Sequence, residues 1–134
     1  MPQRILVVED DPGSLKFITL VLTRKGGYQV VATEDVKKIL DLAAKREVDL
    51  VLMDVSLTKS MYKGEGVNGL DIATMLKHNP QTADIPILLA TAHVMAGDKE
   101  HFLARSGADG CITKPIKNPQ ELVDKVKLLL EKNS

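Results

Sequence analysis

Four short stretches carry the side chains able to do chemistry: Glu9-Asp10-Asp11, Asp54, Thr91-Ala92 and Lys114-Pro115. Each alone has an ordinary explanation. Asp11 before Pro12 is a helix cap. An acid ending a strand is a turn residue, a threonine there is β-branched filler, and a lysine before proline is solvated. Gathered at one point, they mean something else. Three carboxylates repel one another, and each resists ionising without a counter-charge. Hard oxygen donors at that density suit Mg²⁺, which keeps several waters and completes its shell with carboxylates and phosphate. Lys114 can neutralise what a metal leaves over, and the Thr91 hydroxyl can donate to a phosphate oxygen. These are the parts of a phosphoryl-transfer site with Asp54 as nucleophile. Positioning and charge offset do most of the work in such a site.

The elements around these residues explain why they should meet. Three runs are apolar at every position: "ILVV" at 5–8, "LVLM" at 50–53 and "ILLA" at 87–90. Strands that do not alternate are buried on both faces, as in a parallel sheet covered by helices. "YQVVAT" at 28–33 and "GCIT" at 110–113 are two weaker strands. Helical patterns fall between them. Leu15, Ile18 and Leu22 share a face, with Phe17 and Val21 beside them. Val36, Ile39, Leu40 and Ala43 mark a second helix, and Leu70, Ala73 and Leu76 a third, stopped by Asn79-Pro80. A fourth runs from about Gly97 to Ser106 and ends at Gly107. In the last, Asn118 caps, Pro119 sits first and Glu121 is placed to close a capping box. Leu122, Val126, Leu129 and Leu130 then face inward. Alternating strands and helices imply a parallel α/β sheet with right-handed crossovers. Ligands in such sheets sit beyond the carboxyl ends of the strands, where all four chemical stretches lie.

The totals narrow the function classes. The 134 residues fit one domain, 1–134, with one core. Lys plus Arg is 18 and Asp plus Glu is 18, which argues against direct nucleic-acid binding through a basic surface. No apolar run is long enough to span a membrane or form a signal-peptide core. The single cysteine, Cys111, permits no internal disulfide and fits a cytoplasmic location.

The stretches "ILVVEDD", "LVLMD", "LLATA" and "TKPI" resemble the four signature regions of response-regulator receiver domains. The resemblance spans essentially the whole chain. It implies a flavodoxin-like doubly wound α/β fold, with five parallel strands in the order 2-1-3-4-5 and five helices. It implies Asp54 as phosphoacceptor, taking its phosphoryl group from a sensor histidine kinase or a histidine phosphotransfer protein. Asp10 and Asp54 would hold Mg²⁺ directly, Glu9 through water, and Ser56 through its backbone carbonyl. Thr91 would be the switch hydroxyl, Ala92 would leave room beside the phosphoryl group, and Lys114 would bind it. The Lys114–Pro115 peptide would be cis. The output would be a changed surface presented to a downstream effector protein. A phosphorelay intermediate is an alternative role. An Asp-nucleophile phosphatase of the haloacid-dehalogenase type is disfavoured, because Ser56 stands where that family has its general acid. A binding-only pseudo-receiver is disfavoured because every acid and the lysine are present. The chain is thus expected to be a signalling domain rather than an enzyme.

Two departures stand out. Thr58 replaces a common proline, and "KSMYKGEGV" delays the glycine that opens the third helix to Gly69. Residues 58–68 are therefore either a mobile surface loop or a specificity element over the site mouth, with Met61 and Tyr62 as contacts. Cys111 occupies a position where relatives often have an aromatic, and reads as a small buried hydrophobe; a redox-sensing thiol is the less favoured alternative, because nothing in the sequence points to a lowered pKa. His93 is positioned to overhang the site or to lie exposed in its loop, whereas His78 and His101 fall on helices as solvated side chains.

Overall fold

The computed structural model describes residues 2–57, 60–92 and 97–132. Its elements in chain order are β1 (Arg4–Val8), α1 (Pro12–Leu20), β2 (Gln29–Ala32), α2 (Val36–Ala44) and β3 (Leu50–Asp54). They continue with β4 (Met61–Tyr62), β5 (Glu65–Gly66), α3 (Gly69–Lys77), β6 (Ile87–Thr91), α4 (Asp98–Ser106), β7 (Gly110–Thr113) and α5 (Pro119–Lys132). Five strands form one parallel sheet in the order β2-β1-β3-β6-β7. With β4 and β5 set aside as a separate pair, this is the expected 2-1-3-4-5 arrangement.

The unbroken apolar runs have the expected cause. Every residue of β3 and β6 is buried, and so are Ile5 to Val8 of β1. Alternate residues feed two cores. Leu6, Val8, Val51, Met53 and Leu89 pack with Ile39 of α2 and Ile72 and Leu76 of α3. Ile5, Val7, Leu50, Leu52 and Leu88 pack with Ile18 of α1 and Leu122 and Val126 of α5. Each such aliphatic side chain contributes about 1.5–3 kcal/mol on leaving water. The sheet is thereby fixed from both sides, and so are its strand ends.

Caps start the helices where the acids and amides stand. The Asp11 carboxylate accepts from Ser14 N–H at 2.8 Å at the start of α1. Asn68 and Asp71 close a reciprocal capping box on α3, with bonds of 2.9 and 3.0 Å. At α5 the expected box takes another form: the Asn118 side chain accepts from Gln120 N–H at 3.0 Å, one residue earlier than Glu121. After α1 the backbone widens into a π-helical stretch, Val21–Lys25. Phe17, expected beside the core stripe, is 38% exposed.

Within the stretch after β3, residues 61–66 form a short hairpin rather than a featureless loop. Met61–Tyr62 and Glu65–Gly66 pair antiparallel across a two-residue turn. Lys63 and Gly64 both adopt positive φ, 52° and 84°, the backbone of a type I′ hairpin turn. Glycine takes that conformation freely, whereas Lys63 does so against its Cβ.

Candidate functional site

The carboxyl ends of β1, β3, β6 and β7 meet along one edge of the sheet. Asp54 ends β3 and is 3% exposed, Glu9 follows β1 and is equally buried, and Asp10 is half-buried. Oxygens from these three carboxylates all lie within 4.8 Å of one another. Lys114, just past β7, places Nζ 2.6 Å from Glu9 Oε1 and 3.6 Å from Asp54 Oδ2. Backbone amides hold the acids in place. Ser56 N–H donates to Asp54 Oδ1 at 2.9 Å, and Asp11 N–H donates to Glu9 Oε2 at 3.2 Å.

The electrostatics follow from this crowding. Burial pushes the Asp54 carboxyl above the usual carboxylate range, and the neighbouring Glu9 pushes it further. The Ser56 amide and Lys114 oppose the shift without cancelling it. Burial by itself would lower the Lys114 pKa, but its bond to Glu9 and the charge of Asp54 hold the ammonium above its ordinary value. One lysine therefore serves two buried carboxylates, with Asp10 close by. This surplus of hard oxygen charge fits a divalent cation of the Mg²⁺ type.

Thr91 ends β6 as a buried residue. Its carbonyl accepts from Lys114 N–H at 2.8 Å, and the Ala90 carbonyl accepts from Val55 N–H at 2.9 Å. Asp54, Thr91 and Lys114 thus stand on three adjacent strand ends joined by main-chain hydrogen bonds. Ala92 and Ser56 are exposed at the same edge, and the Lys114–Pro115 peptide is cis. Beside them a groove of about 330 Å³ opens between α1 and the chain after β7, lined by Asp11, Phe17, Lys114 and Ile116. His93, Val94 and Met95 lie outside the described residues, as does Thr58.

Two contacts at the site go beyond what the sequence predicts. The first is Gly69, where a Cβ would overlap the Asp54 carbonyl oxygen and approach Val55 Cα to 3.0 Å. The second is Ser60, buried, with its hydroxyl donating to the Glu34 carbonyl at 3.1 Å. Gly69 itself is marked by its place at the opening of the third helix, but its contact with Asp54 is not. The serine carries no mark, because its partner is 26 residues away.

A doubly wound α/β sheet whose carboxyl edge gathers three acids and a lysine defines a flavodoxin-like class with an anionic, cation-suited edge. Within that class, the chain belongs to the response regulator receiver domain family, which matches residues 5–127. The polar-differentiation response regulator DivK of Brucella anthropi is 32% identical over 120 residues, covering 90% of each chain. A chain from Chloroflexus aurantiacus described as a response regulator superposes with a TM-score of 0.82 at 30% identity, covering 98% of this chain and 99% of its own. A CheY-like receiver domain protein from Methanospirillum hungatei has the same fold, with a TM-score of 0.79 at 23% identity over 99% of this chain and 97% of its own. Among the described residues, no helix is long and apolar enough to cross a membrane.

Proposed function

We propose that this receiver domain is a cytoplasmic phosphoacceptor module that takes a phosphoryl group on Asp54 from a phosphohistidine. The donor is a sensor histidine kinase or a histidine phosphotransfer protein, and the phosphorylated form signals by presenting an altered surface to an effector protein. The observation that carries this reading is the buried Asp54 carboxylate within 4.8 Å of Glu9 and Asp10, with Lys114 Nζ 3.6 Å away.

In the transfer, an Asp54 carboxylate oxygen attacks phosphorus as the phosphorus–nitrogen bond to imidazole breaks. The bonding pair stays on the leaving nitrogen, and the product is an acyl phosphate. Ser56 N–H holds one Asp54 oxygen at 2.9 Å, which leaves the other, nearer Lys114, to attack. Lys114 can follow the transferred group and offset its charge. Thr91 can donate its hydroxyl to a phosphoryl oxygen. Ala92, small and exposed, leaves room beside that group. Glu9, Asp10, Asp54 and the Ser56 carbonyl would hold Mg²⁺, Glu9 through water. The bound ion supplies charge compensation for the phosphoryl oxygens. Hydrolysis of the acyl phosphate by water regenerates the carboxylate and ends the signal.

The test is incubation with acetyl phosphate and Mg²⁺, followed by intact mass. A single added phosphoryl group is expected on the wild type, none on Asp54→Ala, and none with a chelator. Labelling of Asp54→Ala, or labelling indifferent to chelation, would sink the proposal.

A further inference from the structure

The hairpin of β4 and β5 is anchored at both ends and exposed at its tip. Its return closes on the phosphoacceptor: Gly69 N–H donates to the Val55 carbonyl at 3.3 Å, and a Cβ on Gly69 would overlap the Asp54 carbonyl oxygen. Its outgoing side is tied to the connection after β2 by the bond from Ser60 to Glu34. Tyr62 and Val67 pack half-buried against the core on the α2 and α3 side. Met61, between these anchors, is left 58% exposed. It borders a groove of about 440 Å³ with Leu40, Tyr62, Lys37, Asp41 and Lys63.

We propose that this hairpin is a docking element for the protein that phosphorylates Asp54. In it, Met61 seats against an apolar side chain of the phosphohistidine-bearing domain. Lys37, Lys63 and Asp41 pair with opposite charges around that contact. The inference rests on Asp54 being the phosphoacceptor. The occupant follows from position. Asp54 is 3% exposed at the carboxyl end of the sheet, so a protein delivering a phosphoryl group to it must cover that end. Both anchors of the hairpin lie there, one on the Asp54–Val55 peptide and one at Glu34, two residues past β2. A downstream effector is under no such constraint.

The physical design suits selection among donors. A thioether adapts to an apolar partner surface at small cost. A mixed-sign rim rejects partners that oppose like charges. The hairpin is held by its turn and by Ser60, so docking loses little conformational entropy, which a free loop would forfeit. Insertion here adds a recognition surface to the segment that leads from Asp54 into α3 without altering any residue of the acidic edge.

The test separates donors that touch the hairpin from one that does not. The histidine kinases encoded in the same genome are autophosphorylated with ATP, and the one transferring fastest to the wild-type chain is used. Its transfer rate is compared with acetyl phosphate labelling for wild type, Met61→Asp, Met61→Leu and Lys63→Glu. Met61→Asp is expected to lower the ratio of kinase to acetyl phosphate rates about tenfold or more, mainly through KM, as loss of a central interface contact does. Met61→Leu should keep most of the ratio. Unchanged ratios for both Met61→Asp and Lys63→Glu would overturn the proposal. So would equal slowing with both donors, which marks a folding role, or no kinase transferring faster to wild type than to Asp54→Ala. Failure of the wild type to label with acetyl phosphate would instead overturn the phosphoacceptor reading.

Discussion

Gly69 is the position where one methyl group should cost most. A Cβ there would overlap the Asp54 carbonyl oxygen, lie 2.7 Å from its carbonyl carbon and 3.0 Å from Val55 Cα. All three are main-chain atoms, so no rotamer change relieves the overlap. Carbon–carbon contacts settle at about 3.5–4.0 Å, so the start of α3 and the end of β3 would have to part by close to 1 Å. Overpacking of this kind costs about 1–3 kcal/mol, and more when the backbone must move. Alanine returns about 0.5–1 kcal/mol through helix propensity. Because every clash is with main chain, the overpacking cost falls at the upper end of its range, and the expected net loss for Gly69→Ala is about 2 kcal/mol. At about 4 °C per kcal/mol for a domain near this size, that is a fall in Tm of about 8 °C. Thermal and urea unfolding measure it. Acetyl phosphate labelling should slow as well, because the displaced segment carries the Ser56 amide that orients Asp54. Gly66→Ala is the control, since a Cβ there would come no nearer to Met61 Sδ than 3.9 Å, and it should change stability by less than about 0.5 kcal/mol. A Gly69→Ala protein as stable as the control would refute the steric argument.

Three further outcomes are expected. Lys114→Ala strands the buried Glu9 and Asp54 carboxylates, so urea unfolding should show a loss of about 3 kcal/mol, reduced by excess Mg²⁺; a loss unaffected by Mg²⁺ would argue against shared charge compensation. The Asp54 pKa is raised in the fold, so as pH rises the unfolded chain ionises this group first and the metal-free protein loses stability, from near 3.8 upward to the folded value. Asp54→Asn has no such titration, and in chelator its Tm should gain on wild type between pH 3 and pH 7; a gap that is constant or widens toward acid would contradict the assignment. Finally, phosphorylation-induced amide NMR shifts along β6 and β7 should largely vanish in Thr91→Ala and persist in Cys111→Ala, and the reverse pattern would place the switch at residue 111.

The central strands were legible because burial on both faces removes alternation: "ILVV", "LVLM" and "ILLA" could hardly be anything else. The acidic edge followed from them, since parallel strands deliver Asp10, Asp54 and Lys114 to one side whatever the loops do. The hairpin was not legible. Strands of two residues fall below any periodic signal, and the turn uses Lys63 where asparagine or aspartate is the common indicator. The only local cue was Lys63-Gly64 between two short pairs. The exposure of Phe17 was equally hidden, because periodicity places a residue beside a stripe without saying how far the neighbouring elements reach. Gly69 and Ser60 depend on through-space neighbours, Asp54 and Glu34, which no local pattern names.

Cys111 is where this chain departs most from the aromatic expected at that position, and its surroundings say what it does instead. It pairs in register with Leu89 on β6 and is buried with the core on the α2 and α3 side. Burial raises its thiol pKa, so the sulfur stays neutral and behaves as a small apolar group. A side chain of that size has no alternative rotamer that could fill space vacated by Thr91. The route that remains is main-chain. Asp54 lies in register with Ala90, Val55 N–H bonds the Ala90 carbonyl, and Lys114 N–H bonds the Thr91 carbonyl. A phosphoryl group on Asp54 that draws Lys114 from Glu9 and the Thr91 hydroxyl toward its oxygens pulls on both ends of that chain of bonds. Such a pull shifts an equilibrium only as far as a partner binds the two arrangements differently. On the proposed reading, the message therefore leaves the site through the backbone at the ends of β6 and β7, and Cys111 serves only to keep those two strands packed.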